Sequence, residues 1–444
     1  MENKKKSGLQ RRAYSATRSL IRLLKPREDK KQRVPKQGLG SGLKVAFVHG
    51  ERKLSTGAHH INQLMTEALA AQGVKIHNFY PRVRLTDTPA HLRGIANILF
   101  FHSLLDRKEE ILKNDIVQGT TYTTLPFLTF PNVLTVSHFG STTRGFLHSV
   151  PLTTNLPAKA KKFYKELYKL DIIPELDFKT FRPLTDTADM EEIVATRVDA
   201  CIATSKKVQV ELVKDGVATE RVHIIHNAIE DYWFTQTPAP ASGTPRPPHL
   251  VFLGRIGGDI FTLKLKGVDR LVEFYRAFPE VNKTTICMTT NRKLKEWLKV
   301  SFPLHSMYVN LRKNLIPGAL APLYGSILFL PSRYEGFSLS LIEGMSQGLV
   351  PVAYQVGVVE EVIQDGVNGF IVTSLEQAVD RASELLRNQE LRMTMALKAK
   401  ETAAQFTSAQ IAKDLITLYR KIKANRRLIS NGSYTDGNIY PPTL

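Results

Sequence analysis

Apolar residues in this chain follow two rhythms. Apolar-rich stretches at residues 43–49, 74–79, 115–117, 133–140, 198–205, 222–229, 249–255, 284–290, 306–311 and 327–330 read as strands, the last of them suited to cover on both faces. Between them, spacings of three and four predict helices, as at Ile61, Leu64, Met65, Ala68 and Leu69, and again over 375–386 and 409–423. Strand and helix in alternation imply parallel sheets layered by helices. Pro238, Pro240, Pro245, Pro247 and Pro248 crowd one stretch that sustains neither element. The expected organisation is α/β: a first domain over 43–234, a linker over 235–248 and a second domain over 249–408.

One stretch, 327–343, concentrates chemistry. The strand 327–330 is ended by Pro331, Gly336 permits a sharp turn, and a helix begins near Ser338 or Ser340, either of which can cap it. Free amides and the dipole at such a helix start favour an anion, so the backbone around Gly336, Phe337 and Ser338 suits a phosphate. Glu335 falls beyond the carboxyl end of the strand, where open α/β sheets bind ligands, and Glu343 falls within the helix.

Glu335 and Glu343, set in Pro-Ser-x-x-Glu-Gly-Phe-Ser-Leu-x-x-Ile-Glu-Gly-Met, resemble the signature of the family 4 retaining glycosyltransferases of the GT-B fold. The stretches 348–352 and 361–372 continue the likeness over roughly forty positions. The resemblance implies two Rossmann-like domains with a cleft between them, and a final helix, 409–424, that crosses back to the first domain before a tail over 425–444. It implies a nucleotide-diphosphate sugar as donor, with Glu335 near the transferred sugar and Glu343 on the ribose. His138, ending the strand 133–140, would lie beside the reacting sugar. Gly57 matches a glycine-rich loop under the donor phosphates, with Thr56 where a second glycine is common. Arg255 and Lys266 would hold the diphosphate; residues 257–265 read as an insertion, so Lys264 competes with Lys266. Residues 141–185, with Phe163, Tyr164, Tyr168 and several lysines, match the family least and are expected in part to shape the acceptor site.

Composition bounds these readings. The chain has 444 residues, 43% apolar and 23% charged, with no apolar run long enough for a membrane span. Cys201 and Cys287 sit in strand-like runs without metal-ligand spacing, as buried thiols in a reducing compartment do. Of the formal charge of +20, residues 1–44 carry +11 through fourteen Lys and Arg against three acids. Within this leader and linker, 1–42, a helix over 9–25 would set Leu9, Ala13, Ala16, Leu20 and Leu24 opposite Arg11, Arg18, Arg22 and Lys25. That pattern suits a helix lying on an anionic membrane surface; a basic tail and an organelle transit peptide are the competing readings.

The expected activity is therefore metal-independent transfer of a hexose-type sugar to an acceptor hydroxyl on a lipid or glycan, on the cytoplasmic side of a membrane. No Asp-x-Asp triplet occurs in the chain, and no cofactor is expected. A basic nucleic-acid-binding protein would explain the charge but not the two glutamates, and no nucleic-acid partner is expected. A non-catalytic sugar-nucleotide-binding protein on the same fold is the other rival; an epimerase or a phosphorylase fits less well.

Overall fold

The computed structural model describes residues 39–40, 42–50, 57–82, 93–179, 182–235, 247–289 and 291–430. The leader helix expected over 9–25, most of the proline-rich linker and the end of the tail lie outside the described residues.

Two six-stranded parallel sheets organise the chain. The first holds β1 (Lys44–Val48), β2 (Lys75–Phe79), β3 (Ile116–Thr120), β4 (Leu134–Phe139), β5 (Ala200–Ala203) and β6 (Val222–Ile224), in the order β2-β1-β3-β4-β5-β6. The second holds β7 (Leu250–Arg255), β8 (Lys283–Met288), β9 (His305–Val309), β10 (Ile327–Leu330), β11 (Val350–Tyr354) and β12 (Phe370–Val372), in the order β12-β11-β10-β7-β8-β9. Strands such as β4, β5, β10 and β11 are buried along their whole length, which is why they read as continuous apolar runs rather than alternating ones. This is the GT-B fold.

Strand order fixes where a ligand can sit. In the second sheet the order reverses between β10 and β7, which run parallel with Ile327 opposite Leu250, so both strands end on one edge. The connections leaving them go to opposite faces and open a crevice there.

Six helices matter to the site. They are α1 (Gly57–Ala71), α2 (Ala158–Lys169), α3 (Ile260–Leu265), α4 (Val268–Arg276), α5 (Leu339–Ser346) and α6 (Ser408–Ser430). Helix α6 starts in the second lobe's sequence, yet Ile411, Leu415, Ile416 and Tyr419 are buried against α1 and the first sheet. Lys423 Nζ reaches Asp115 Oδ1 at 2.6 Å. The helix continues to Ser430, beyond the 424 expected from its apolar pattern, and in the added turn the Arg426 guanidinium donates to Val133 O at 2.7 Å.

A second crossing runs the other way and departs from expectation. Helix α2 lies within the segment 141–185, which was expected in the first domain and, in part, to shape the acceptor site. Instead Ala160, Phe163, Tyr164 and Leu167, one face of the helix by their spacing, are buried in the core of the second lobe with Val268, Leu271, Tyr275 and Leu294. Polar bonds fix this docking: Tyr164 Oη to Asp269 Oδ1 at 2.8 Å, Trp297 Nε1 to Glu166 Oε1 at 3.1 Å, and Asn291 Nδ2 to Ile172 O at 2.8 Å. Each lobe thus completes its core with a helix from the other half of the chain.

Candidate active site

Beyond β10, Pro331 offers no amide and the chain turns into the loop that bears Glu335. Its backbone is held from behind. Arg270 Nη1 donates to Pro331 O at 3.0 Å and to Ser332 O at 3.3 Å. Arg333, largely buried, forms a two-point pair with Asp269, at 2.8 and 2.6 Å, and also donates to Lys264 O. Asp269 in turn accepts from Tyr164 of α2, so the crossing helix buttresses the loop.

The loop also reaches the first lobe. Tyr334 Oη accepts from Thr142 N at 3.1 Å and donates to Glu211 Oε2 at 2.7 Å. Ser205 Oγ donates to Gly336 O at 2.6 Å. Only glycine fits at 336, because a Cβ there would stand 1.7 Å from Gly140 O. Since Gly140 directly follows β4, this contact brings the end of the His138 strand to the Glu335 loop.

Glu335 faces two partners. Lys266 Nζ lies 2.6 Å from Glu335 Oε1, and Ser332 Oγ lies 2.7 Å from the same atom. Lys266 is set there by Gly267, which adopts φ 62°, and whose missing Cβ would stand 2.1 Å from Pro331 O. Lys264, the alternative cation, points elsewhere. The insertion 257–265 forms α3, capped by Asp259 accepting from Thr262 N, and turns Lys264 fully inward. Its ammonium donates to Pro151 O at 3.0 Å, Thr153 Oγ1 at 2.9 Å and Asp177 Oδ1 at 2.6 Å. All three protons are spoken for, so Lys264 has none for a diphosphate. Arg255 stands exposed at the end of β7, and its guanidinium makes no hydrogen bond or ion pair among the described residues.

The start of α5 departs from the expected cap. Ser338 occupies the capping position, but its side chain makes no capping bond, its backbone is left-handed at φ 84°, and its Oγ is buried without a partner. A left-handed non-glycine residue costs about 1–2 kcal/mol, and such strain collects at functional sites. No hydrogen bond from the amides of Gly336, Phe337 or Ser338 occurs among the described residues. The Phe337 ring packs away from the crevice in the second lobe's core, against Phe406, so only its backbone faces a ligand role.

Two expected residues sit deeper. Glu343 is buried on α5, with Lys313 Nζ 3.2 Å from its Oε1; Lys313 also meets Glu230 Oε1 at 2.7 Å. Burial pushes the Glu343 carboxyl above its ordinary range, against the pull of Lys313. His138 is buried, its Nε2 3.1 Å from Asn227 Oδ1, and burial pulls it down to about 4, so the ring is neutral near pH 7. Gly57 opens α1; residues 51–56 before it lie outside the described residues.

The structure thus joins Glu335, Lys266, Gly336 and Ser338 at one loop, with Arg255 on the same edge of the second sheet. The sequence did not reveal Lys313, Glu230 or the Tyr164–Asp269–Arg333 chain. Lys313 and Glu230 lie 83 and 113 positions from Glu230 and Glu343 respectively, and no spacing rule links residues so far apart.

Known proteins resemble the chain in part of its sequence and in its fold. A stretch of 110 residues is 36% identical to the glycogen synthase of Pseudomonas syringae pv. syringae, covering 23% of this chain and 22% of that protein. The chain covers only 22–28% of the length of the first curated relatives it matches. In three dimensions it is similar to sucrose-phosphate synthase from Thermosynechococcus elongatus, with a TM-score of 0.65 at 15% identity over 86% of this chain and 100% of that one. It is also similar to Anabaena HepE in complex with UDP-glucose, with a TM-score of 0.58 at 14% identity over 85% of this chain and 100% of that one. Residues 263–402, which carry Lys264, Lys266, Lys313, Glu335 and Glu343, match the family model of glycosyl transferases group 1.

Proposed function

We propose that the protein is a retaining glycosyltransferase that moves a hexose-type sugar from a nucleotide-diphosphate sugar to a hydroxyl of a lipid or cell-envelope glycan. The observation that carries this reading is the meeting of Glu335, Lys266 and the unfilled amides before α5 in one crevice. Glu335 orients hydroxyls of the transferred sugar, while Lys266 and Arg255 take up charge on the departing pyrophosphate. Those amides and Ser338 Oγ add neutral donors. Glu343 accepts from the ribose, Gly57 at the start of α1 lies under the phosphates, and neutral His138 lies beside the reacting sugar.

In this scheme the bond from the anomeric carbon to phosphate breaks as the acceptor oxygen bonds to the same face, and the acceptor's proton passes to a phosphate oxygen. Configuration is kept without a protein nucleophile and without a metal. Support for a nucleotide-sugar donor comes from the fold shared with Anabaena HepE, which holds UDP-glucose. The lipid acceptor rests on the amphipathic pattern of residues 9–25.

A thermal-shift screen against UDP, GDP and ADP and their hexose conjugates tests the donor class, because a ligand raises apparent stability with the logarithm of its concentration. One base is expected to raise the unfolding temperature, less so in Arg255→Ala. No shift with any of them refutes the reading.

A further inference from the structure

Glu343 is an unusual carboxylate to offer a neutral diol. It is buried, and a second carboxylate, Glu230, lies on the far side of the same ammonium. Glu230 is fixed in turn by Trp233 Nε1, 3.1 Å from its Oε2. The groups facing Glu343 are Lys313, Glu230 and the phenol of Tyr232, which is itself held neutral by burial and by the two carboxylates. One cation therefore balances the buried Glu343 and the partly exposed Glu230. Without it the like charge of Glu230 would stand uncompensated beside Glu343 and favour its protonated form.

We propose that Lys313 is a positioning residue of the donor site: held between Glu230 and Glu343, it keeps Glu343 ionised and fixed as the acceptor for the donor's ribose diol. The proposal rests on the reading of the crevice as a nucleotide-sugar site. Lys313 stands at the second-lobe turn after β9, carried by residues 313–315, so the chain segment that places the cation is separate from the helix that places the carboxylate. Binding of the nucleoside thus depends on the two segments keeping their register. An ionised acceptor bonds a hydroxyl more strongly than a protonated one, which must also use its own proton.

The test is calorimetric binding of UDP-, ADP- and GDP-glucose from pH 5.5 to 8.5, a range in which their diphosphate diesters do not titrate. In Lys313→Met, affinity should fall toward the acid end roughly tenfold further than in the wild type, as the Glu343–Glu230 pair gains a proton. Lys313→Arg should restore the wild-type profile, and Glu230→Gln in the Lys313→Met background should move the fall to lower pH by removing the like charge. Thermal unfolding of each variant checks that it is folded. A profile for folded Lys313→Met that falls no further than the wild type's, with the wild type binding, overturns the role of Lys313 and leaves the donor reading intact. Absence of wild-type binding to all three donors overturns the donor reading and this inference with it.

Discussion

Two lysines two positions apart have opposite duties, and substitution separates them. Lys264→Met removes a fully buried ammonium that satisfies three acceptors. Pro151 O and Thr153 Oγ1 lose their donor, while Asp177, whose side chain is 37% exposed, can turn partly to water. A broken buried pair costs about 3–5 kcal/mol; discounted for the exposure of Asp177, the loss is about 3 kcal/mol. At 2–4 °C per kcal/mol, the unfolding temperature should drop roughly 6–12 °C. Lys266→Met removes a partly exposed ammonium with one carboxylate partner, so its stability cost stays under about 1 kcal/mol. Its loss from the developing charge should instead lower transfer on the order of a hundredfold. Differential scanning fluorimetry and initial rates with the donor found by the screen measure both. The reasoning fails if Lys264→Met loses transfer at an unchanged unfolding temperature, or if Lys266→Met melts as early as Lys264→Met while keeping its rate.

Two further outcomes follow from the geometry. Gly336→Ala places a methyl 1.7 Å from Gly140 O, so the Glu335 loop must move; initial rates should fall on the order of a hundredfold, and a normal rate would show that the contact between the lobes is dispensable. His138 binds its proton at about 4 when folded and near its ordinary 6.5 when unfolded, so its contribution is fully present above 6.5 and is lost as pH falls toward 4, by roughly 3 kcal/mol in all. Urea unfolding of wild type and His138→Asn across that range should show the steeper loss in the wild type, since His223, His249 and His305 are also lowered in both, and parallel curves would contradict the burial argument.

Much of the architecture was legible because buried parallel strands leave long apolar runs. The strands around Phe47, Val136, Ile202 and Leu328 announced themselves in this way. The motif placed Glu335 and Lys266 within one region of sequence, but the choice between Lys264 and Lys266 needed the turn of α3, since a short insertion carries no signal of which way its helix faces. Phe163 and Tyr164 of α2 stood out in the sequence, yet aromatic residues in a segment do not name the surface they cover. Ser338 has the residue type of a cap, and its left-handed backbone is imposed by the loop around it rather than by its own preference. Lys313 was invisible for a plainer reason: its partners, Glu230 and Glu343, are distant in sequence on either side.

The most direct measurement is release of nucleoside diphosphate from UDP-, ADP- or GDP-activated hexose by purified protein supplied with lipid and glycan hydroxyl acceptors, wild type beside Glu335→Gln. The account predicts release from at least one donor by the wild type, reduced on the order of a hundredfold in the variant. Release at equal rates by both proteins, or from none of the three donors by either, would contradict it.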